Sequence, residues 1–335
     1  MNTILLDGAD DRQLKKAAEL LHNGKLVAIP TETVYGLAAD AFNDDAVAAI
    51  FAAKGRPADH PLIVHIGRIE QLNQLARDIP PPAVELAKYF WPGPLTLLLN
   101  KSQHVPDVVT GGLATVGVRM PKHDVTQALL AENDLMVAAP SANPYKRLSP
   151  TSAEQVLHGL NGKIDAVLDG GMCHIGLEST IVDLTAFNET GDISIRRSGH
   201  ITAEQISQVI GLPVNAWQPH ELKVAGNVSA HYQPGPPLYL KSTNEIATKL
   251  RTLHDNIPGV VSYSDELSPI LKALPPTRWI ALPKDKAGFA RALYAALYQL
   301  DRQCVPEIWL ETPPDTLQWQ DVNDRLSRAA TEAGT

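Results

Sequence analysis

Five short segments of the chain set polar side chains directly behind apolar runs, the place where α/β proteins collect ligands. In Pro30-Thr31-Glu32-Thr33-Val34-Tyr35-Gly36, two threonines and a glutamate follow an apolar strand. Their hydroxyls and backbone amides suit a small polar ligand, and hydroxyls that cap a turn have the same composition. Lys54-Gly55-Arg56-Pro57 puts two cations on a tight turn. That suits phosphate or carboxylate, the lysine as a point charge and the arginine as a bidentate fork; cations at a helix end also answer the dipole. His60 and His65 follow, the second inside an apolar strand, where a satisfied core histidine is the commoner case. Trp91-Pro92-Gly93-Pro94 reads as a rigid structural turn. Arg119 ends a strand that Thr115 opens and is well placed to hold a carboxylate. Ser141 and Asn143 stand two apart on a loop and can face one ligand, or form an ordinary Asx or Ser turn. Ser179 and Thr180 open a further strand and Arg196-Arg197 closes the next, an arrangement that a surface hairpin also shows.

Together these segments offer cations for a polyphosphate, an arginine for a carboxylate and hydroxyls for a small polar amine. No nucleophile–base pair is evident, which favours catalysis by positioning and electrostatics over a covalent intermediate. The dinucleotide fingerprint G-x-G-x-x-G, the Walker A loop, H-E-x-x-H, C-x-x-C and G-x-S-x-G are absent. The eleven histidines show no metal-ligand spacing, so no structural zinc is expected.

The elements that must position these residues alternate. Leu14, Ala17, Ala18 and Leu21 predict a helix over 11–23 that Gly24 stops. Further helices fit 44–54, 83–90, 124–131 and 152–159, the last entered through Ser149-Pro150-Thr151 with Glu154 completing a capping box. Strands fit 26–29, 61–66, 95–99, 115–119, 135–139, 166–168 and 180–184. This alternation predicts an α/β domain over 1–212, with its strand order unreadable. A proline-rich linker is expected at 213–237. A small α/β unit follows over 238–335, with strands at 238–240, 259–263, 279–282 and 307–310, helices at 243–254 and 285–301, and a parallel sheet.

With 335 residues, 44% hydrophobic and 20% charged, the chain has material for two packed cores and is not a disordered one. A net charge of −8 argues against a protein that coats nucleic acid non-specifically. Cys173 and Cys304 form no disulfide framework and read as reduced thiols. No stretch is long and apolar enough for a membrane span, and the first ten residues do not read as a signal peptide, so a cytoplasmic protein is expected.

The segments PTETVYGLAADA, KGRPADHPLIVHI, FWPGPLTLLL, VGVRMP, APSAN, LSPT and GLESTIVD occur in this order. They resemble the YrdC-like family of threonylcarbamoyl-AMP synthases over about residues 10–210. The linker AHYQPGPPL and the α/β pattern after it are similar to the longer, two-domain form of that family. The resemblance implies a YrdC-like twisted mixed sheet around a concave cleft, with a small C-terminal Rossmann-like domain. It implies the conversion of L-threonine, bicarbonate and ATP to threonylcarbamoyl-AMP and pyrophosphate. A partner transferase complex would then modify tRNA beside the anticodon, with a weak tRNA contact here and no membrane.

Carried over by motif, Thr31, His65, Arg119, Ala139 and Ser179 would form the threonine site, with Arg119 on the carboxylate. Lys54 and Arg56 would be catalytic. The nucleotide would meet Lys54, Arg56, His60, Thr115, Ser141, Asn143, Ser149 and Arg197, with Tyr232 of the linker closing as a lid. Magnesium (Mg2+) would ride on ATP, with no protein cage. The sequence departs from the family pattern at His60, where asparagine is usual, in the linker VAGNVSAHYQPGPPL, which lacks the usual Ser-Pro-Gly-Met start, and in its short second domain. An RNA-binding module without catalysis and a carbamoyl-transfer enzyme with another acceptor are the competing readings.

Overall fold

A computed structural model describes residues 2–218, 225, 231–253 and 255–331. The expected linker thus lies partly, at 219–224 and 226–230, outside the described residues. Two compact units form. The first holds the described residues of 1–145, 150–174 and 178–227, and the second those of 146–149, 175–177 and 228–335.

The first unit is built on a ten-stranded mixed sheet. Its strands are β1 (Ile4–Asp7), β2 (Val27–Ile29), β3 (Gly36–Asp40), β4 (Ile63–Ile66), β5 (Leu95–Asn100), β6 (Thr115–Arg119), β7 (Met136–Ala138), β8 (Ala166–Asp169), β9 (Thr180–Asp183) and β10 (Ser194–Arg197). They lie in the order β1-β8-β2-β3-β7-β4-β6-β5-β9-β10. β4 runs parallel to β6 and antiparallel to β7, in a register that sets His65 beside both Arg119 and Val137.

Side-chain alternation divides the sheet. Ala138, Val64, Val118, Leu97 and Val182 face one large core, which also takes the buried residues of helices Asp44–Lys54, Pro81–Phe90, Ala153–Leu160 and Ala203–Ile210. On the opposite face, helices Asp11–His22 and Asp124–Glu132 bury Leu14, Ala17, Ala18, Leu21, Leu129 and Leu130 against Val27, Ile29, Ala38, Val137 and Leu168. That two-helix layer reaches only as far as Val137 on β7. Next to it, the same face of β4 and β6 carries His65 and Arg119, so polar groups begin where the helical cover ends.

The helix expected at 44–54 has those bounds because Asn43 accepts a hydrogen bond from the Ala46 amide and Gly55, at φ 64°, closes it in the left-handed region. The helix expected at 152–159 starts one residue later. Ser152, not the Ser149-Pro150-Thr151 turn, is its N-cap, and Gln155 rather than Glu154 meets the Thr151 amide. Strand β10 is the one that Arg196-Arg197 was read to close, whereas strands β1 and β3 and helix Ala203–Ile210 were not expected from the sequence.

The second unit has a parallel sheet of β11 (Leu238–Lys241), β12 (Gly259–Ser262), β13 (Trp279–Ala281) and β14 (Ile308–Glu311), in the order β11-β14-β12-β13. Helix Lys286–Arg302 buries Phe289, Leu293, Leu297 and Leu300. The polar tail ends in helix Gln320–Ala329. No described helix is long and apolar enough to cross a membrane.

Candidate active site

The polar face of β4, β6 and β9 and the loops at their ends bring most of the expected residues together within the first unit. On β6, Val116 and Val118 enter the large core, so Thr115, Gly117 and Arg119 share the other face. Thr115 and Arg119 are four strand steps apart, about 13 Å at ~3.3 Å per residue.

Arg119 is buried, and its Nε donates to the Gly93 carbonyl at 3.3 Å. The Trp91-Pro92-Gly93-Pro94 turn, read as structural, therefore helps to aim the guanidinium. Its Nη2 lies 2.7 Å from Glu32 Oε2 in an ion pair whose side chains are both 5% exposed. Beside it on β4, His65 is buried, and among the described residues its Nδ1 makes no well-aligned hydrogen bond. Burial, with Arg119 and Arg197 nearby, pulls its pKa down to about 3, so the ring is neutral at physiological pH.

That shift has a measurable consequence. Below the unfolded value near 6.5 the unfolded chain binds a proton that the folded chain refuses. The stabilisation is complete above that pH and is lost as pH falls toward 3. His65→Gln should therefore flatten the pH dependence of urea-unfolding stability between pH 6 and 4 by up to one proton, about 1.4 kcal/mol per pH unit. Parallel curves for the two proteins would contradict this.

Lys54 is also buried. Its Nζ donates to the Ser141 and Asn143 carbonyls, both at 2.5 Å. Burial, with Arg56 adding to it, pulls its pKa well below the usual lysine range. The lysine thus fastens the loop that carries Ser141 and Asn143. The same loop is tied to the first segment, since the Leu37 amide donates to Pro140 O and the Ala142 amide to Tyr35 O. Ala139 is buried, and its amide donates to Ile63 O. Arg56 is half-buried, with Nη2 3.1 Å from Pro61 O. His60 stands edge-on to the Tyr145 ring at 5.8 Å.

Two expected hydroxyls are engaged inside the protein. Thr31 Oγ1 donates to Val34 O at 2.6 Å and accepts from the Thr33 and Val34 amides. Ser179 Oγ pairs with Thr96 Oγ1 at 2.8 Å and accepts from Arg197 Nη2 at 2.9 Å. A bulge in β10 places Arg197 opposite Ile181. Its other donors go to Ser179 O and to Ala225 O of the linker, both at 2.9 Å. Ala225 packs over Ile63, Leu98 and Ile181, a small apolar patch on this same face.

Ser149 and Tyr232 fall in the second unit. Ser149 is fully buried. Tyr232, at φ 62°, is buried in a ring cluster, 4.0 Å from His231 and 5.9 Å from Tyr294. Sequence reading passed over Glu32 as a site residue, although an acid directly behind an apolar strand was a signal for it. It also passed over Cys173 and His123, which interact electrostatically with Glu32 and which no motif marks.

The family model described as telomere recombination, which covers the Sua5, YciO and YrdC proteins, matches residues 19–199. The model for the threonylcarbamoyl-AMP synthase C-terminal domain matches 201–331. Threonylcarbamoyl-AMP synthase of Bacillus subtilis is 39% identical over 330 residues, 96% of this chain and 94% of that one. The synthase of Pyrococcus abyssi is 51% identical over 202 residues, 60% of this chain and 58% of that one. The crystal structure of P. abyssi Sua5 complexed with L-threonine superposes with a TM-score of 0.86 at 37% identity, covering 98% of both chains. With both models matched in order and a relative aligned almost end to end, the chain belongs to the threonylcarbamoyl-AMP synthase family.

Proposed function

We propose that the protein joins L-threonine, bicarbonate and ATP into threonylcarbamoyl-AMP with release of pyrophosphate. The product would supply a transferase complex that modifies tRNA beside the anticodon. The observation that carries this reading is the buried polar face of β4 and β6, where Arg119 and neutral His65 lie side by side and the Ala139 amide is tied to Ile63 O on β4.

Arg119 holds the threonine carboxylate as a bidentate fork. Thr31 and Ser179, with their hydroxyls spent on neighbours, shape the pocket through a turn and a strand end. The nucleotide lies toward Thr115, Ser141, Asn143, Arg56, His60 and Arg197. ATP enters as its magnesium complex, so the metal arrives as part of a substrate; among the described residues no group of three His, Cys, Asp or Glu side chains is placed to hold an ion.

The threonine nitrogen attacks the bicarbonate carbon, water leaves, and the resulting carbamate attacks the α-phosphorus, expelling pyrophosphate. Lys54 keeps the Ser141–Asn143 loop in place, and Arg56 stabilises charge developing at phosphorus. A carbamate is labile in water, and Ala225 over the apolar patch helps to exclude solvent. Pyrophosphate release from ATP and bicarbonate should require L-threonine, with L-serine a much poorer substrate. Release that ignores the amino acid would refute the reading.

A further inference from the structure

Glu32 is the least satisfied buried charge in the first unit's site. Its side chain is 5% exposed, and neither Oε1 nor Oε2 has an aligned hydrogen-bond donor. A carboxylate offers about four lone-pair sites, and buried carboxylates elsewhere in the chain use theirs. Asp183 accepts from the Thr185 amide, Thr185 Oγ1 and Arg196 Nε. Glu311 accepts from Thr243 Oγ1 and from the Tyr263 and Ser264 amides. Among the described residues Glu32 has one ion-pair partner, the Arg119 guanidinium at 2.7 Å, and the facing Nη2 is itself without an aligned hydrogen bond. Cys173 and His123 also interact with it electrostatically. Burial pushes the Cys173 thiol up to about 12, and burial pulls the His123 imidazole below its usual value. A buried charge held this loosely is costly to keep without a further partner.

We propose that Glu32 forms the ammonium half of the amino-acid site and takes the proton that must leave nitrogen before it can be carboxylated. The inference rests on the reading of threonine as substrate. An amino acid carries opposite charges on adjacent carbons, and the Glu32–Arg119 pair presents the complementary charges side by side. The ligand carboxylate meets the Arg119 fork while the ammonium supplies the donors that Glu32 lacks.

The step balances. The ammonium passes one proton to a Glu32 oxygen and regains its lone pair. That pair forms the N–C bond to bicarbonate. The C–O bond to the hydroxyl breaks, and the hydroxyl leaves as water with a second proton from nitrogen. Glu32 is then neutral beside Arg119, and the carbamate carries the negative charge toward the nucleotide.

The test compares L-threonine with 3-hydroxybutanoate, which keeps the carboxylate and the hydroxyl but lacks the amine. Calorimetric titration of the full chain should show Glu32→Gln weakening L-threonine at least tenfold while leaving 3-hydroxybutanoate unchanged or tighter. At saturating threonine, kcat should fall roughly a hundredfold, within the range of a lost acid–base group. Glu32→Asp, which keeps the charge, should recover part of the threonine affinity and also guards against a folding defect in the glutamine variant. Equal losses for both ligands would mean that Glu32 only braces Arg119, and would overturn the proposal, as would an unchanged kcat. A wild-type protein that does not bind L-threonine at all would instead refute the substrate reading on which the proposal stands.

Discussion

Replacing Lys54 with methionine should lower threonine-dependent pyrophosphate release by roughly 10²–10³-fold, the scale of a lost preorganised donor. It should also lower stability to urea by about 3 kcal/mol, since two charge-assisted hydrogen bonds vanish and leave two carbonyls without them. Both effects have one cause. The ammonium sits between Ser141 O and Asn143 O, and the loop it holds carries two of the polar groups proposed for the nucleotide. Lys54→Arg should not rescue either loss, because a planar fork cannot converge on two carbonyls that lie 2.5 Å from a single nitrogen. A Lys54→Met protein with normal stability and a raised KM for ATP alone would show that the lysine acts as a free phosphate ligand instead.

The second large effect belongs to Arg119. Arg119→Met should raise the KM for L-threonine by about a hundredfold, the size expected when a charge-assisted bidentate contact worth ~3 kcal/mol is lost. It should also destabilise the protein by about 3–5 kcal/mol, because Glu32 is left as an uncompensated buried charge. Adding Glu32→Gln to Arg119→Met should return part of that stability, though not the threonine affinity. A coupling energy near zero in this double-mutant cycle would show that the two side chains do not depend on each other.

The sequence marked the turns and strand ends of the candidate site more fully than it marked the sheet. Each motif that was singled out stands at a strand end or on a turn, because hydroxyls, cations and Gly-Pro turns are local signals. The helix Asp44–Lys54 was legible for the same reason, with Asn43 and Gly55 marking its ends. Strand β3 was not. Gly36–Asp40 is small, alanine-rich and buried along most of its length, so it shows neither alternation nor β-branched residues. Helix Ala203–Ile210 was missed although Thr202 and Gln205 form a capping box that the sequence displays. The sheet order depends on pairings between distant segments, such as β5 with β9 and β2 with β8, and no local pattern encodes them.

The part that two residues of the site play depends on contacts between distant segments. Lys54, before its Gly-x-Pro turn, reads either as a cation for phosphate or carboxylate or as a solvated helix end. Only the approach of the Ser141–Asn143 loop turns it into a buried clamp. Glu32 reads as one more polar turn residue until the sheet brings Arg119 against it, and only then does its shortage of hydrogen bonds appear.

The most direct test of the central claim is to supply the protein with ATP, magnesium, L-threonine and ¹³C-labelled bicarbonate and to weigh the adenylate product. The expected product is a threonine-containing adenylate that gains one mass unit from the labelled carbon and is absent when L-threonine is omitted. An adenylate without the label, or ATP turnover that proceeds equally without threonine, would contradict it.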